Sequence, residues 1–448
     1  MQIVDRLVAA CGGRRLAAGR PGIGWLVVEV VPAAIWSSIT GAMSMEFYYF
    51  VAFLTLLGAD NATLAWLPLM VFAGGVFQAA LILRRPPRDA RRHSIAHTIT
   101  ARCCWMLTVL WPLAALWLGL ASHWIFIGVF AAVFATHLIN SAAITTFITW
   151  TQAAVPAEHR GTFFAMRNLL SFAAVAMILY TLSWILPKGT SAVDPQQLPR
   201  LMWLLGGATL VGILGVIPLL RTPALPIAST PISYPPLVPH LRGNGRLVRL
   251  IIFMMLVMVA MAASTTYQPK LFIQAGVEPS MMAAWQGKGM YPGMIAGILA
   301  AGWCMPRIGG ARAVLVAHLL VMGSEAAMLG LAPDRITWML PMVLTVSGVA
   351  KGAWSVAYIS CLHEVMPRGD PRFLAVLHAA ASFAGMVMAL TLSQAVPMIE
   401  GWLSAHPGAP SLAWCMVGLG VAVRMLSTPL LSMRPAPQRD LTAVQTSS

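Results

Sequence analysis

Windows of about twenty almost uncharged residues follow one another along the chain, at roughly 33–57, 62–83, 103–121, 124–150, 162–186, 201–220, 250–273, 281–303, 313–332, 337–361, 373–397 and 411–432. This repetition limits the fold more than any other feature. Backbone groups left unpaired in hydrocarbon are too costly, so each window must be a helix or part of a closed barrel. None shows the period-two alternation of a barrel strand, which leaves helices. The expected fold is therefore all-α, a polytopic membrane protein of twelve spans. Its 448 residues, at roughly 37 for each span and its connection, leave no room for a separate catalytic domain. Only 10% of residues are charged and 58% are hydrophobic, which excludes a soluble chain.

Orientation follows from arginine and lysine. One set of connections carries Arg6, Arg14, Arg15 and Arg20; Arg84, Arg85, Arg88, Arg91 and Arg92; Arg160; Arg221, Arg242 and Arg246; Arg307 and Arg312; Arg368 and Arg372; Arg434 and Arg439. The alternate set has only Lys188, Arg200 and Arg335. Positive charge collects on the cytoplasmic side, so both termini are expected there. The arginine and alanine bias suggests a bacterial inner membrane. The net charge of +15 is thereby assigned to membrane topology, and no nucleic-acid partner is expected. Trp124, Trp184, Trp203, Trp338, Trp402 and Trp414 fall at the opposite edge as an interfacial belt.

Pro223, Pro226, Pro231, Pro235, Pro236 and Pro239 precede Arg242-Gly243-Asn244-Gly245-Arg246 in the longest polar interval. This interval, 222–247, reads as a cytoplasmic linker between an N-terminal bundle over 1–221 and a C-terminal bundle with a short tail over 248–448. Cys11, Cys103, Cys104, Cys304, Cys361 and Cys415 contain no CxxC pair and read as small buried residues rather than disulfides or metal ligands. Val8-Ala9-Ala10-Cys11 superficially matches a lipidation box, but Asp5 and Arg6 interrupt the apolar run before it.

The two halves echo each other. An offset of 211 sets Pro156 on Pro367, Arg167 on His378, Ser171 on Ser382, Phe172 on Phe383 and Ala173 on Ala384. A second offset, 218, sets Gly58-Ala59-Asp60 beside Gly276-Val277-Glu278. Parallel repeats of this kind place a substrate site between the halves, near midplane.

Val155-Pro156-Ala157-Glu158-His159-Arg160-Gly161, followed by Arg167-Asn168, resembles the loop between helices four and five of the major facilitator superfamily. Gly302-Trp303-Cys304-Met305-Pro306-Arg307-Ile308-Gly309 resembles that superfamily's signature loop between helices eight and nine, with Pro306 where an Asp is usual. The first-half counterpart, Arg84-Arg85-Pro86-Pro87-Arg88-Asp89-Ala90-Arg91-Arg92, keeps the charge without the glycine framework. The resemblance implies two pseudo-symmetric six-helix bundles that rock about a cavity lined by helices one, four, seven and ten. Arg160, Gly161, Arg167, Arg307 and Gly309 become conformational-switch positions by the same resemblance.

Ionisable groups inside spans cost at least about 2.5–3.5 kcal/mol each on insertion scales, so each needs a reason. Of only four lysines against twenty-five arginines, Lys270, Lys288 and Lys351 fall within spans, and Glu46 lies near the middle of helix one. The 211 offset sets Lys351 opposite Asn140, whose neighbours His137 and Ser141 share a helix face. Tyr267 and Gln268 precede Lys270. Through the resemblance, Glu46, His137, Asn140, Tyr267, Gln268, Lys270 and Lys351 become candidates for one substrate and proton site. Trp354, one turn after Lys351, is a candidate for stacking. The bland alternatives are a static bridge from Glu46 to a lysine, a Lys270 that snorkels, and a His137 satisfied in the interior. Lys288 stands beside Gly289, Gly293, Gly297 and Ala301, a small-residue stripe that lets another helix approach, so its cavity role is secondary. Glu325 and Arg424 read as structural.

Three lysines against one carboxylate favour a small anionic or carboxylate-bearing solute, and Glu46 beside an amine suits proton coupling. The expected function is therefore a secondary active transporter, monomeric, with solute, protons and bilayer as partners and no cofactor. Efflux of amphiphilic compounds, for which twenty-eight methionines would supply an adaptable surface, is the competing class. A non-transporting scaffold or sensor is the third. No HExxH, GxSxG or P-loop is present to support an enzyme.

Overall fold

The apolar windows are helices in the computed structural model, which describes residues 24–41, 48–84, 89–155, 160–222, 244–365, 371–406 and 408–431, and no strand occurs among the described residues. Span one consists of Gly24–Val28, Val30–Thr40 and Tyr48–Leu56. Span two is Asn61–Arg84, span three Ala90–Trp117, span four Ser122–Ala154 and span five Arg160–Ile185. Span six is Leu198–Leu214, with the short Ile217–Leu220 after it. Span seven joins Gly245–Ser264 to Tyr267–Gln274, and span eight joins Pro279–Trp285, a π-helical turn at Gln286–Met290, and Tyr291–Ile308. Spans nine to twelve are Gly310–Met328, Ile336–Val365, Pro371–Ala405 and Leu412–Ser427. Ten of the described helices are long and apolar enough to cross a membrane by themselves. Spans one and eight are made of shorter pieces.

Two departures from the apolar windows have physical causes. The first span begins nine residues before its expected start at 33 and stops at Gly41, which takes a left-handed φ of 75°. Glu46 lies outside the described residues, as do Cys11 and linker residues 223–243. Several helices also overrun their windows. Span four reaches Ala154 and span eleven reaches Ala405, because a helix continues through polar residues once its backbone bonds are in place, whereas a hydropathy window ends at the first charge.

Within the first half, span three packs on four, span two on four, and span one on five and six; within the second, seven packs on eleven and twelve, and ten on eight and nine. Two contacts join the halves along their length, span two with eleven and span five with eight. This is the arrangement of two six-helix bundles. The largest apolar cluster bridges them towards the arginine-poor end, with Tyr48, Phe50 and Leu64 from the first half and Phe272, Met282 and Tyr291 from the second. Trp124, Trp184, Trp203, Trp338, Trp402 and Trp414 are all exposed at that end. The cysteine expectation holds for Cys361, which is buried, but Cys103 is exposed and Cys104, Cys304 and Cys415 are half-buried; all five are free thiols.

The 218-residue echo is a real repeat of backbone. Gly58 and Gly276 have φ of 93° and 84°. The Gly58 and Gly276 amides donate to Thr55 and Ile273, and the Ala59 and Val277 amides donate to Leu54 and Phe272. All these pairs stand 218 apart, so spans one and seven end in the same left-handed cap, which a residue with a Cβ adopts only with strain.

The stripe on span eight meets span ten. A Cβ on Gly293 would fall 2.6 Å from the Thr345 carbonyl oxygen, and one on Gly297 would overlap the Val349 carbonyl. Reciprocally, Gly348 and Gly352 lie against the Met290 and Met294 carbonyls. With no side chain between them the backbones touch, and dispersion rather than water drives the packing. Gly297→Val must separate the two helices, and we expect a loss of about 1–3 kcal/mol or more, read as a lower melting temperature in detergent. An unchanged melting temperature would contradict this contact.

Candidate functional site

Lys351 sits in the middle of span ten, fifteen residues or about 22 Å from its first residue. Its face of the helix carries Leu344, Ser347 and Lys351 at helical spacing, and these line a small, partly open cavity. Opposite stand Thr265, Gln268, Pro269 and Phe272 of span seven, Met282, Gln286 and Met290 of span eight, Met328 of span nine, and Tyr48 of span one. Three methionines and two aromatic rings make an apolar wall; the glutamines and hydroxyls supply a few directional groups. Lys351 is the one basic residue among those lining it.

The π-helical turn explains how span eight serves two neighbours. Its extra residue per turn places Gln286 and Met290 on the cavity while Gly287 packs on the Ala176 carbonyl and the Tyr180 backbone of span five. Lys288 is on the outside of this turn, exposed, with its ammonium 4.8 Å from the centre of the Tyr180 ring. It points away from the cavity.

The other expected site residues disperse. Gln268 lines the cavity and donates from Nε2 to Glu325 Oε1 at 3.2 Å. Tyr267, one residue earlier, faces the opposite way, buried among Ala65, Leu392 and Val396. His137 is buried edge-on to Trp105, with span two packed against it at Gly74, so it belongs to the interior of the first half. Asn140 is buried on the same span. Trp354 stacks on Tyr358 at an interplanar angle of 10° and packs with Phe253 and His318 inside the second half. It is a packing residue here. A single site containing all eight described candidates is therefore not what the fold assembles; among them, Lys351 and Gln268 line the cavity.

Lys270 belongs to a separate cluster at the arginine-poor end. Its ammonium donates to Asn61 Oδ1 at 2.5 Å, and Asn61 Nδ2 donates to Glu400 Oε1 at 2.6 Å. Three helices, two, seven and eleven, meet there across the boundary between the halves. Nearby, Tyr48 donates to the Val277 carbonyl at 2.6 Å, and Glu278 accepts from the Gly189 amide at 2.9 Å. Asp60 precedes this cluster in a connection outside the spans; the hydroxyl and amide of Thr63 hold its carboxyl below the usual carboxylate range. Spans one, two and five are thereby tied to the second half on one side of the cavity.

Two buried ion clusters stand apart from the cavity; the sequence singled out Glu325 and Arg424 as structural but not Glu29 or Arg102. Glu29 accepts from Arg102 at 2.7 Å and from Arg167 at 3.0 Å, linking spans one, three and five. Arg102 also donates to the Gly212 carbonyl of span six and lies over the Trp36 ring; Arg167 lies over Phe147. The helix begins at Arg160, so Arg167 stands two turns inside span five rather than in a loop. In the second half, Arg424 donates Nε to Glu325 Oε2 at 2.7 Å and a terminal nitrogen to Oε1 at 3.0 Å. Of the remaining switch positions, Arg307 folds back on the Trp303 ring and carbonyl, and Gly309 forms the joint between spans eight and nine. Arg160 begins span five, with Gly161 next in the same helix.

No family model matches the sequence, and no curated protein matches it. Solved structures that it resembles include membrane transporters. It superposes on a D-xylose-proton symporter with a TM-score of 0.62 at 14% identity, over 90% of this chain and 96% of that one. A bacterial homologue of the iron transporter ferroportin in the inward-facing state gives 0.60 at 12% identity, over 91% and 96%. The nucleoside transporter NupG gives 0.58 at 14% identity, over 92% and 99%. The chain shares the fold of these transporters, and its ten long apolar helices make it a multi-pass membrane protein.

Proposed function

We propose that this protein is a secondary active transporter that moves a small organic anion by alternating access, with both termini in the cytoplasm of a bacterial inner membrane. The observation that carries the reading is the position of Lys351: a lysine at the middle of a spanning helix, on the wall of a cavity formed by spans seven to ten with Tyr48 of span one. An ammonium on the wall of a cavity supplies a point charge and hydrogen-bond donors that a carboxylate entering it can meet. The apolar wall of Met282, Met290, Met328 and Phe272 suits a solute with a hydrophobic part, which brings the amphiphile class and the anion class together in one ligand. Clamping at the arginine-poor end, by Lys270, Asn61 and Glu400, supplies the barrier that one access state needs.

Glu46 stands two residues before Tyr48, which lines the cavity. We assign it the coupling proton on that sequence position. With the protein reconstituted in vesicles, Lys351→Met is expected to lower uptake of labelled 3-phenylpropionate at least about tenfold, the cost of losing a charge-assisted contact. Glu46→Gln is expected to abolish accumulation driven by a proton gradient and to leave solute exchange in place. Wild-type flux in Lys351→Met would overturn the anion site, and gradient-driven accumulation in Glu46→Gln would overturn the coupling role.

A further inference from the structure

We propose that the outer face of the seam between spans five and eight is a binding site for an anionic phospholipid, whose phosphate meets the Lys288 ammonium in the leaflet at the arginine-poor end. The site lies on the bilayer side of the fold, apart from the cavity.

Span five turns one stripe outward: Ala173, Met177, Tyr180, Thr181 and Trp184 recur at helical spacing, and all are exposed. Behind the stripe the seam is closed. A Cβ on Gly287 would fall 2.6 Å from the Tyr180 amide nitrogen, so the two backbones touch there, and Lys288, the next residue, is turned out onto the Tyr180 ring. Four groups then form a ladder. The Lys288 ammonium lies 4.8 Å from the centre of the Tyr180 ring, that ring meets Trp184 edge-on at 6.1 Å, and the Lys188 ammonium lies 4.9 Å from the Trp184 ring. Trp184 belongs to the interfacial belt, and Tyr180 is four residues, or about 6 Å, deeper along the helix. Lys288 therefore sits just inside the level at which headgroups give way to acyl chains.

An ammonium on the lipid face at that depth calls for a counter-charge. A ring face attracts it without neutralising it. Among the described residues no carboxylate pairs with Lys288 or Lys188, and Glu278 accepts instead from the Gly189 amide and the Ser280 hydroxyl. The bilayer supplies the anion: a lipid phosphate needs only slight local thinning to reach Lys288. A zwitterionic headgroup brings its own ammonium with that phosphate, whereas an anionic phospholipid does not, so charge complementarity selects the anionic lipid. Met177, Trp184 and Ile185, all exposed, give its chains an apolar wall. The fold itself does not require the ladder. The 211 offset sets Tyr180, Trp184 and Lys188 on Thr391, Ala395 and Ile399, and the 218 offset sets Lys288 on Met70. The equivalent seam between spans two and eleven thus carries no cation at these positions.

Native mass spectrometry of the purified full-length protein, titrated with dioleoyl phosphatidylglycerol or dioleoyl phosphatidylcholine, tests the site. Wild type is expected to bind its first phosphatidylglycerol about tenfold more tightly than its first phosphatidylcholine. Lys288→Met should bring phosphatidylglycerol down to the phosphatidylcholine level, Lys288→Arg should keep the preference, and Lys188→Met should weaken it less than Lys288→Met does. Equal binding of the two lipids by wild type overturns the proposal whether or not Lys288→Met folds. An unchanged preference in Lys288→Met, or its loss in folded Lys288→Arg, overturns it as well. A wild-type dimer in nanodiscs of phosphatidylcholine alone that Lys288→Met dissociates would assign this face to a second copy of the chain, and the lipid site would be given up.

Discussion

Glu29→Ala is expected to prevent stable folding of the first half. The substitution removes the one acidic partner that Arg102 and Arg167 have among the described residues, their side chains being 3% and 17% exposed, and leaves two guanidinium charges facing each other inside a helix bundle. Removing one member of a buried ion pair costs about 3–5 kcal/mol, comparable with the whole stability of many domains. The readout is accumulation in the membrane, with monodispersity and melting temperature after extraction. Arg102 would lose more than Arg167, because it is the more deeply buried and because its other contacts, the Gly212 carbonyl and the Trp36 ring, do not neutralise it. Replacing the set together, with Glu29→Leu, Arg102→Met and Arg167→Met, should recover much of the loss, since apolar groups of similar volume often substitute for buried ions without penalty. A Glu29→Ala protein that melts as wild type does would show that the cluster is hydrated and energetically slight.

Glu325 and Arg424 make the corresponding link in the second half, between spans nine and twelve, and Gln268 extends it to span seven. Spans one, three and six of the first half are joined by Glu29, Arg102 and the Gly212 carbonyl. The same three positions in each bundle are thus tied by a buried acid and guanidinium, although different helices supply them. Such internal ties favour motion of each half as a unit.

These ions explain what was legible beforehand and what was not. Twelve spans, two bundles and a seam on span eight open to another helix followed from residue type and spacing, because in a bilayer each apolar window has one solution and a glycine every fourth residue leaves a groove; that span ten fills the seam did not. Glu29 and Arg102 were not singled out because the windows were drawn from 33 and from 103, just inside the charges that the helices carry with them. Glu400 lies beyond the window ending at 397 for the same reason, and with it went the clamp on Asn61. Side-chain direction was the other limit. Lys288 and Trp354 sit on helices next to the cavity, but a π-helical turn sends the first outward and aromatic packing with His318 and Phe253 holds the second in the bundle. Helix membership told which residues were near; the local winding decided which faced the solute.

Joining positions 61 and 270 covalently is expected to stop transport. Asn61 connects Lys270 to Glu400 across the two halves, and a charge-assisted hydrogen bond of this kind contributes about 1.5–3 kcal/mol. That is enough to favour a closed arginine-poor end and too little to hold it against a conformational cycle, so Asn61→Ala should alter flux only modestly by shifting the balance between access states. A covalent tie has no such limit. With the six cysteines of the chain replaced, Asn61→Cys with Lys270→Cys bridged by a short reducible bis-methanethiosulfonate should carry solute no faster than empty vesicles, and reduction of the linker should restore the flux. Each single cysteine treated in the same way should remain active, which separates the tether from modification of either residue alone. Sustained transport by fully bridged protein would mean that this end never has to open, and rocking of the two halves about the Lys351 cavity would then have to be given up as the mechanism.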